Sequence, residues 1–479
     1  MGKKIIMLFL MFMLAFSTMI MPIEAVASSI MDKAVTKNLG SSSVTVSLRS
    51  LQTGKVLYEQ GGNTAMKPAS TLKLLTGSAA LAKLGEEYRF KTEFYIDGTV
   101  EDTVLNGDIY IKGSGDPTLQ KDDFLQFSKV LKHEGIRTIN GHIYGDDSAF
   151  SGSTLTPGIV AKEETYYFAA RTSALTMSPN SDYDASTLII TAMSTKVGKT
   201  VSYEAIPNLS GMKVINQAKT VAKGLKNTIS IKRKYNSNEI VISGNLPLGS
   251  STKEWVTFQN PTINTLHSAK FILEGAGLKF RSNSTVSQKE VPKQANKIYT
   301  KNSLTLKALY PTFIKLSNNS IADILVKAMG REVYGVGDTA TGLKVVSDYG
   351  TSIGLAMNKW SIEDGSGMSH QNRVSANNQT LLLVNMRNEE IYPVFSKGLP
   401  VGGIKDRLVG GSLRNRFTAT ALRGRVVAKT GSITNVYTLA GYVTAKSGRT
   451  FAFSIMADNK NPTIIKSMDR VVESIITNY

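Results

Sequence analysis

Residues 68–85 read PASTLKLLTGSAALAKLG, and the fold class turns on them. Pro68 opens an apolar-periodic segment, Ser70 to Leu84, which Gly85 stops, so a buried helix is predicted with Ser70 and Lys73 at its start. Positions i and i+3 of a helix share a face, which brings the Lys73 amine within reach of the Ser70 hydroxyl. The helix N-terminus adds positive potential that favours negative charge developing on a nucleophile. Taken alone the signal is weak, because Ser-x-x-Lys recurs at Ser210–Lys213 and Ser250–Lys253 in a Gly-rich, polar stretch. Only the Ser70 copy opens an apolar helix after a proline.

On the N-terminal side of this segment, Ser43 to Leu51 alternates as a strand and turns at Gln52-Thr53-Gly54 into Lys55–Gln60, a hairpin. On the C-terminal side, from about residue 90 to 290, short β-rich runs dominate (Arg89–Ile96, Gly107–Lys112, Thr187–Ala192, Asn227–Ile231, Glu239–Ser243), and the clearest helix is Asn264–Gly275. Helical patterns return at Leu304–Leu316, Ser320–Gly330 and Thr339–Gly354, and the chain closes on a meander, Gly424–Lys429, Tyr437–Thr444 and Thr450–Ala457, before a helix near Thr463–Thr477. The two ends share one α/β texture around a β-rich middle, as in a domain interrupted by a long insertion.

Two further motifs accompany the first. Ser317-Asn318-Asn319 lies between helical segments; its Ser hydroxyl can relay a proton and the Asn319 amide can bind a substrate carbonyl and the lysine. Lys429-Thr430-Gly431-Ser432 lies in a β-run, where Thr430 and Ser432 can hold a carboxylate beside the Lys429 charge and Gly431 lets a substrate backbone approach closely. Each has rivals: Ser178–Asn180, Ser243–Asn245 and Ser375–Asn377 for the second, Lys446-Ser447-Gly448 at a polar hairpin tip for the third. For these a turn or helix cap is the plain reading. What is specific is the ordered set, Ser-x-x-Lys on a helix, then Ser-x-Asn, then Lys-Thr-Gly on a strand, which is the triplet of serine penicillin-recognising enzymes.

The composition narrows the setting. Lys3 and Lys4 precede an apolar run from Ile5 to Ile23, and Ala25-Val26-Ala27 follows, so residues 1–27 read as a secretory signal peptide, with an uncleaved anchor as the alternative. The chain has no cysteine, which excludes disulfides, a lipid-modified N-terminal cysteine, thiolate chemistry and Cys-based zinc sites. No cofactor or metal is expected. The net charge is +19; residues 1–27 carry Lys3, Lys4 and Glu24, so +18 remains after cleavage. The basic residues are scattered, with no dense run, so anionic polymers of a cell envelope fit better as partners than nucleic acid, and a basic surface for solubility fits as well.

With the triplet in place, the chain resembles the class C low-molecular-weight penicillin-binding proteins, the three-domain D-alanyl-D-alanine carboxypeptidase/endopeptidase family. The resemblance covers essentially the whole mature chain. It extends to residues 107–113 leading into 115–119, to 143–148, to 166–175 and to Asp364-Gly365-Ser366-Gly367-Met368-Ser369. The separation of 247 positions from Ser70 to Ser317 matches the family's insertion of two extra domains and exceeds the spacing of compact β-lactamases. The implied fold is α+β: a penicillin-binding, serine β-lactamase-like transpeptidase domain, with an antiparallel sheet flanked by helices, and two mostly-β domains inserted between the Ser-x-x-Lys and Ser-x-Asn motifs. The implied boundaries are 28–90 with 291–479 for the catalytic domain, 91–192 with 262–290 for the first inserted domain, and 193–261 for the second.

The resemblance also implies a mechanism. Ser70 attacks the penultimate D-Ala carbonyl of a peptidoglycan stem peptide, and Lys73 takes its proton, kept largely neutral by partial burial and a nearby Lys429. The oxyanion sits between the N–H groups of Ser70 and Ser432, Ser317 relays a proton to the leaving D-Ala, and water frees the acyl-enzyme. A β-lactam acylates the same serine and leaves slowly. Glu163 and His370, with Arg373 three residues on, align with a pocket for the amino-bearing side chain of the stem peptide, and Phe168 aligns with its aromatic wall. The pocket departs from the family's pattern in that Ile159 and Ala161 stand where tryptophans are frequent. A β-lactamase, a β-lactam-binding sensor and a non-catalytic wall protein are the alternative readings of the triplet.

Overall fold

The computed structural model describes residues 23–40, 43–160 and 163–479, so the expected signal segment lies outside the described residues up to Pro22. Two compact units divide the described chain. One comprises the residues up to Lys67 together with Val374–Asn388 and Pro400–Tyr479; the other comprises Pro68–Arg373 and Glu389–Leu399. Packing sets this division at Lys67–Pro68, whereas the sequence reading sets its first domain boundary at about residue 90.

The first unit is built on an antiparallel five-stranded sheet in the order Val426–Ile433, Val436–Thr444, Thr450–Asp458, Val44–Ser50, Val56–Gln60. The alternation read at residues 43–51 is real, and it sorts residues between two different coverings. Val46, Leu48, Phe453 and Ile455 join a buried cluster with Met31, Val35 and Leu39 and with Met468, Val472 and Ile476. The last six residues belong to helices Ile23–Leu39 and Ile464–Asn478. Ser47 and Ser454, paired across the ladder, instead meet helix Ala376–Asn385: the Ser47 hydroxyl is 2.9 Å from that of Thr380, and Ser454 donates to Gln379 at 2.7 Å. The helix Ile23–Leu39 was not expected, and it runs through the predicted cleavage point after Ala27. Its residues from Met31 onward supply an i, i+4, i+8 stripe to the core, a spacing that was hidden in the sequence behind the signal-like run.

The second unit carries a seven-stranded mixed sheet centred on the pair Lys91–Glu101 and Val104–Gly113. Helices Lys121–His133 and Pro261–Gly275 cover it, burying Phe124, Phe127, Leu266 and Leu273 against Phe94, Ile109 and Ile111. The first of these helices was overlooked in a region read as β-rich. Its start is a reciprocal cap between Gln120 and Asp123, with Gln in place of the usual Ser or Thr, which weakened the signature. Shorter sheets occupy residues 187–257. Helices Leu306–Lys315, Asn319–Tyr334 and Thr339–Ser352 pack with helix Lys73–Leu84. The fold class is thus α+β, with antiparallel sheets and flanking helices as read from the sequence. Among the described residues no helix is long and apolar enough to cross a membrane.

Leu48 has no solvent exposure and sits inside the sheet that displays the Lys-Thr-Gly strand. Leu48→Ala is expected to lower unfolding free energy by about 2–5 kcal/mol, the range for a large buried aliphatic truncated in a core, as measured by denaturant titration.

Candidate active site

Ser70 enters the helix through a tighter turn than the sequence suggested. Residues Ala69–Leu72 form a 3₁₀ turn that runs into the α-helix Lys73–Leu84. In a 3₁₀ turn residues i and i+3 eclipse, so Lys73 stands directly over Ser70 rather than being offset from it. The Lys73 amine lies 3.0 Å from Ser70 Oγ, 2.6 Å from Asn319 Oδ1 and 2.5 Å from the Ser366 carbonyl. Lys73 is fully buried and Ser70 nearly so. Burial pulls the Lys73 amine down to about 8, opposed by the negative potential of Asp323 and Asp364. Those carboxylates move the other way: burial lifts Asp323 to about 7, helped by Asp364, and raises Asp364 as well.

The Ser-x-Asn motif divides its labour. Asn318 is the N-cap of helix Asn319–Tyr334, accepting from the Ile321 N–H at 2.9 Å, while its amide donates to the carbonyls of Asp182 and Tyr183. That anchoring lets Asn319, the first helical residue, aim its oxygen at Lys73 and its amide nitrogen at the Phe168 carbonyl, 2.7 Å away. Ser317 takes a left-handed backbone, φ 60°, between the two helices, and Ala69, just before Ser70, does the same at φ 45°. Each such non-glycine residue stores roughly 1–3 kcal/mol of strain, a feature that concentrates at functional sites.

Lys429, Thr430, Gly431 and Ser432 belong to the other compact unit. They lie on the edge strand Val426–Ile433, paired with Val436–Thr444 so that Lys429 faces Ala440 and Gly431 faces Thr438. Lys429 is fully buried and donates to the Thr430 carbonyl at 2.8 Å; Thr430 donates to Ser412 at 2.7 Å, and Ser432 is exposed.

The rival motif copies have structural work instead. Ser375 caps helix Ala376–Asn385, Ser178 is buried and donates to the Pro117 carbonyl, and Ser210 is buried in a turn held by Asn208. Lys446-Ser447-Gly448 is the hairpin turn between two strands of the sheet.

The family model for D-Ala-D-Ala carboxypeptidase 3 (S13) matches residues 25–475. The chain belongs to that family. It is 32% identical over 408 residues to a D-alanyl-D-alanine carboxypeptidase of an Actinomadura species, covering 84% of this chain and 75% of the relative. It is 25% identical over 415 residues to the D-alanyl-D-alanine carboxypeptidase DacB of Haemophilus influenzae, covering 85% and 83%. The crystal structure of penicillin binding protein 4 (dacB) from Haemophilus influenzae superimposes with a TM-score of 0.79 at 22% identity, covering 93% of this chain and 99% of that one. The same fold recurs, at a TM-score of 0.75 and 21% identity over 94% and 99% of the chains, in that protein complexed with a β-lactam. The three-domain penicillin-binding fold follows from these matches.

In this S13 chain the aligned pocket residues fall as follows. Phe168 is tied to Asn319 through its carbonyl and stacks on Tyr166, ring centroids 5.3 Å apart and nearly parallel. Glu163 is half-buried, and among the described residues it has no ion-pair partner. Its neighbour Glu164 is the consumed carboxylate, buried between Arg171 and Arg233. The His370 carbonyl accepts from the Arg373 guanidinium at 2.6 Å. Sequence reasoning missed Asp323, Asp364 as a carboxylate, and the Ser366 carbonyl. Asp364 accepts from the N–H groups of Gly367 and Ser369 and from the Asn372 amide. The only available signal was the position of Asp323 four residues after Asn319, hence on the same helix face.

Gly367, at φ 85°, presses on the Ser70 turn: a Cβ there would stand 2.0 Å from the Ala69 carbonyl oxygen and 3.1 Å from the Ser70 nitrogen. Both obstacles are backbone, so relief requires moving Ser70. Gly367→Ala is expected to cut the rate of acylation by a fluorescent penicillin about a hundredfold, in line with the cost of a displacement of about 1 Å at a reacting group.

Proposed function

We propose that this S13 enzyme is an exported serine D,D-peptidase that releases the terminal D-Ala of peptidoglycan stem peptides through a Ser70 acyl-enzyme. The D-Ala-D-Ala carboxypeptidase activity is that of its family. The observation that carries the acyl-enzyme is the shared contact of one buried amine with the Ser70 hydroxyl and Asn319. Ser70 Oγ gives its proton to Lys73 Nζ as it bonds to the penultimate D-Ala carbonyl carbon. Lys73 suits that role because burial favours its neutral form. The Ser70 and Ser432 N–H groups receive the oxyanion, and Ser317 relays the proton to the departing D-Ala nitrogen. Lys429, Thr430 and Gly431 engage the substrate's terminal carboxylate and backbone, for which an edge strand with a buried cation and a glycine is suited. Water then attacks the ester; a β-lactam forms the same ester and is released slowly.

The wider reading follows the same lines. The basic head, apolar run and Ala-x-Ala site of residues 1–27 support passage across the cytoplasmic membrane, and the high net positive charge supports attraction to anionic envelope polymers. We place the domain boundaries at 28–90 with 291–479, 91–192 with 262–290, and 193–261, on the family's insertion pattern. Cross-linked strands ending at a D-Ala carbonyl are a second substrate of the same chemistry, and product analysis on monomeric and cross-linked muropeptides measures the balance.

Mass spectrometry after penicillin treatment is expected to find one penicilloyl adduct, on Ser70, and none in Ser70→Ala; an adduct on Ser210 or Ser250 would refute the assignment. Because the neutral amine is the base, acylation should rise with pH through a midpoint near the lowered value of about 8, not near that of a free lysine. For the pocket, Glu163 supplies a counter-charge to a stem-peptide ammonium, and a desolvated charge-assisted hydrogen bond contributes about 1.5–3 kcal/mol. Glu163→Ala should therefore lower kcat/KM about ten- to hundredfold on an amine-bearing peptide and much less on a simple acyl-D-Ala-D-Ala. Equal losses on both peptides would reduce Glu163 to a surface carboxylate.

A further inference from the structure

One turn beyond Asn319, on the same face of its helix, stands a carboxylate that no motif names. Asp323 Oδ1 accepts from the Gly365 N–H at 3.2 Å, and its Oδ2 accepts from the Thr156 hydroxyl at 2.8 Å. The Gly365 carbonyl in turn accepts from the Thr76 hydroxyl at 2.8 Å, one turn beyond Lys73 on the nucleophile helix. Gly365 is therefore clamped from both sides, by a side chain from each of the two helices that build the site. The next residue is Ser366, whose carbonyl receives the Lys73 amine. Asp364, the residue before, holds the remainder of the loop through Gly367, Ser369 and Asn372. The position of one of the three acceptors around Lys73 thus depends on Asp323.

We propose that Asp323 is a positioning residue for Lys73: it holds the peptide that receives the amine and lends negative potential to the nitrogen on which the Ser70 proton arrives. The proposal rests on the reading of Ser70 as nucleophile and Lys73 as base. When the proton leaves Ser70 Oγ and arrives on Lys73 Nζ, an ammonium forms in a closed, poorly solvated space. A carboxylate nearby stabilises that ammonium and so makes the amine a stronger base than burial alone would leave it. Other charged groups among the described residues act around Asp323 as well. Asp364 adds negative potential from the adjoining loop. Lys327, four residues on along the same helix, opposes it, held by the carbonyls of Ser151 and Ser153 at 2.9 and 2.8 Å, with Asp338 beyond. Burial lowers the Lys73 amine, and Asp323 is the largest influence opposing that.

The test is the pH dependence of covalent labelling of the full chain by a fluorescent penicillin, in wild type and in Asp323→Asn, Asp323→Ala and Asp323→Glu. Asp323→Asn can keep both hydrogen bonds but loses the charge, so its acidic limb should move to lower pH by about one unit. Asp323→Ala should move the limb likewise and lose at least about tenfold more plateau rate than Asp323→Asn, since Gly365 is then held only through its carbonyl, by Thr76. Asp323→Glu keeps the charge and should keep the wild-type limb. An unmoved limb in a folded Asp323→Asn protein overturns the proposal, as does a limb displaced equally by Glu and Asn. If Asp323→Asn does not fold, Asp323→Glu against wild type decides, a displaced limb counting against. The underlying reading fails separately: it is lost if the wild-type adduct is not on Ser70, whereas an adduct on Ser70 with an unmoved limb removes only the role of Asp323.

Discussion

A lysine amine with no solvent exposure, held by a serine hydroxyl, an asparagine oxygen and a backbone carbonyl, is the constraint around which the second unit is arranged. Burying an ammonium is costly unless its hydrogen bonds are replaced, and here they are replaced by three acceptors from three separate segments. Desolvation nonetheless outweighs them, which leaves Lys73 able to shed its proton near neutral pH while Asp323 and Asp364 keep it from falling further. Helices Lys73–Leu84 and Asn319–Tyr334 and the loop from Asp364 to Asn372 must all meet at one nitrogen.

That convergence is held by backbone in uncommon conformations. Ala69, just before the first motif, and Ser317, which opens the second, lie in the left-handed region, and Gly367 approaches the Ser70 turn so closely that no side chain fits. Strain of this kind persists only where packing over-determines it. Here Leu72, Leu74, Leu75 and Ala79 are buried behind Ser70, and Asn318 fastens the start of the second helix to residues 182–184. A polar group with no direct contact to Ser70 thereby sets where Asn319 can reach.

The sheet of the first unit solves a different problem. Its strands carry aliphatic residues on the face covered by the two terminal helices, and Ser47 and Ser454 on the face met by helix Ala376–Asn385. Lys429, at the middle of its edge strand Val426–Ile433, is fully buried. On the same strand Thr430 is half-buried and Ser432 exposed, on the face opposite Lys429.

By itself the sequence determined the order and types of the main elements, the α+β class and the three motifs, and it singled out Ser70-x-x-Lys73 as the copy that opens an apolar helix. These rest on local periodicity, on spacing along one helix and on chain order, all of which a linear string records. The overlooked helices, Ile23–Leu39 and Lys121–His133, were masked by a signal-like run and by an atypical cap. Only the tertiary structure decided which groups surround Lys73. The Ser366 carbonyl is 293 residues away and Thr156 lies 167 residues from Asp323, and no periodicity links such positions. A backbone carbonyl has no side-chain signature, and an aspartate on a helix reads as a solvated face until a neighbouring loop closes over it. The shift of an amine from its ordinary value is a property of that enclosure, so it exists only once the chain has folded around it.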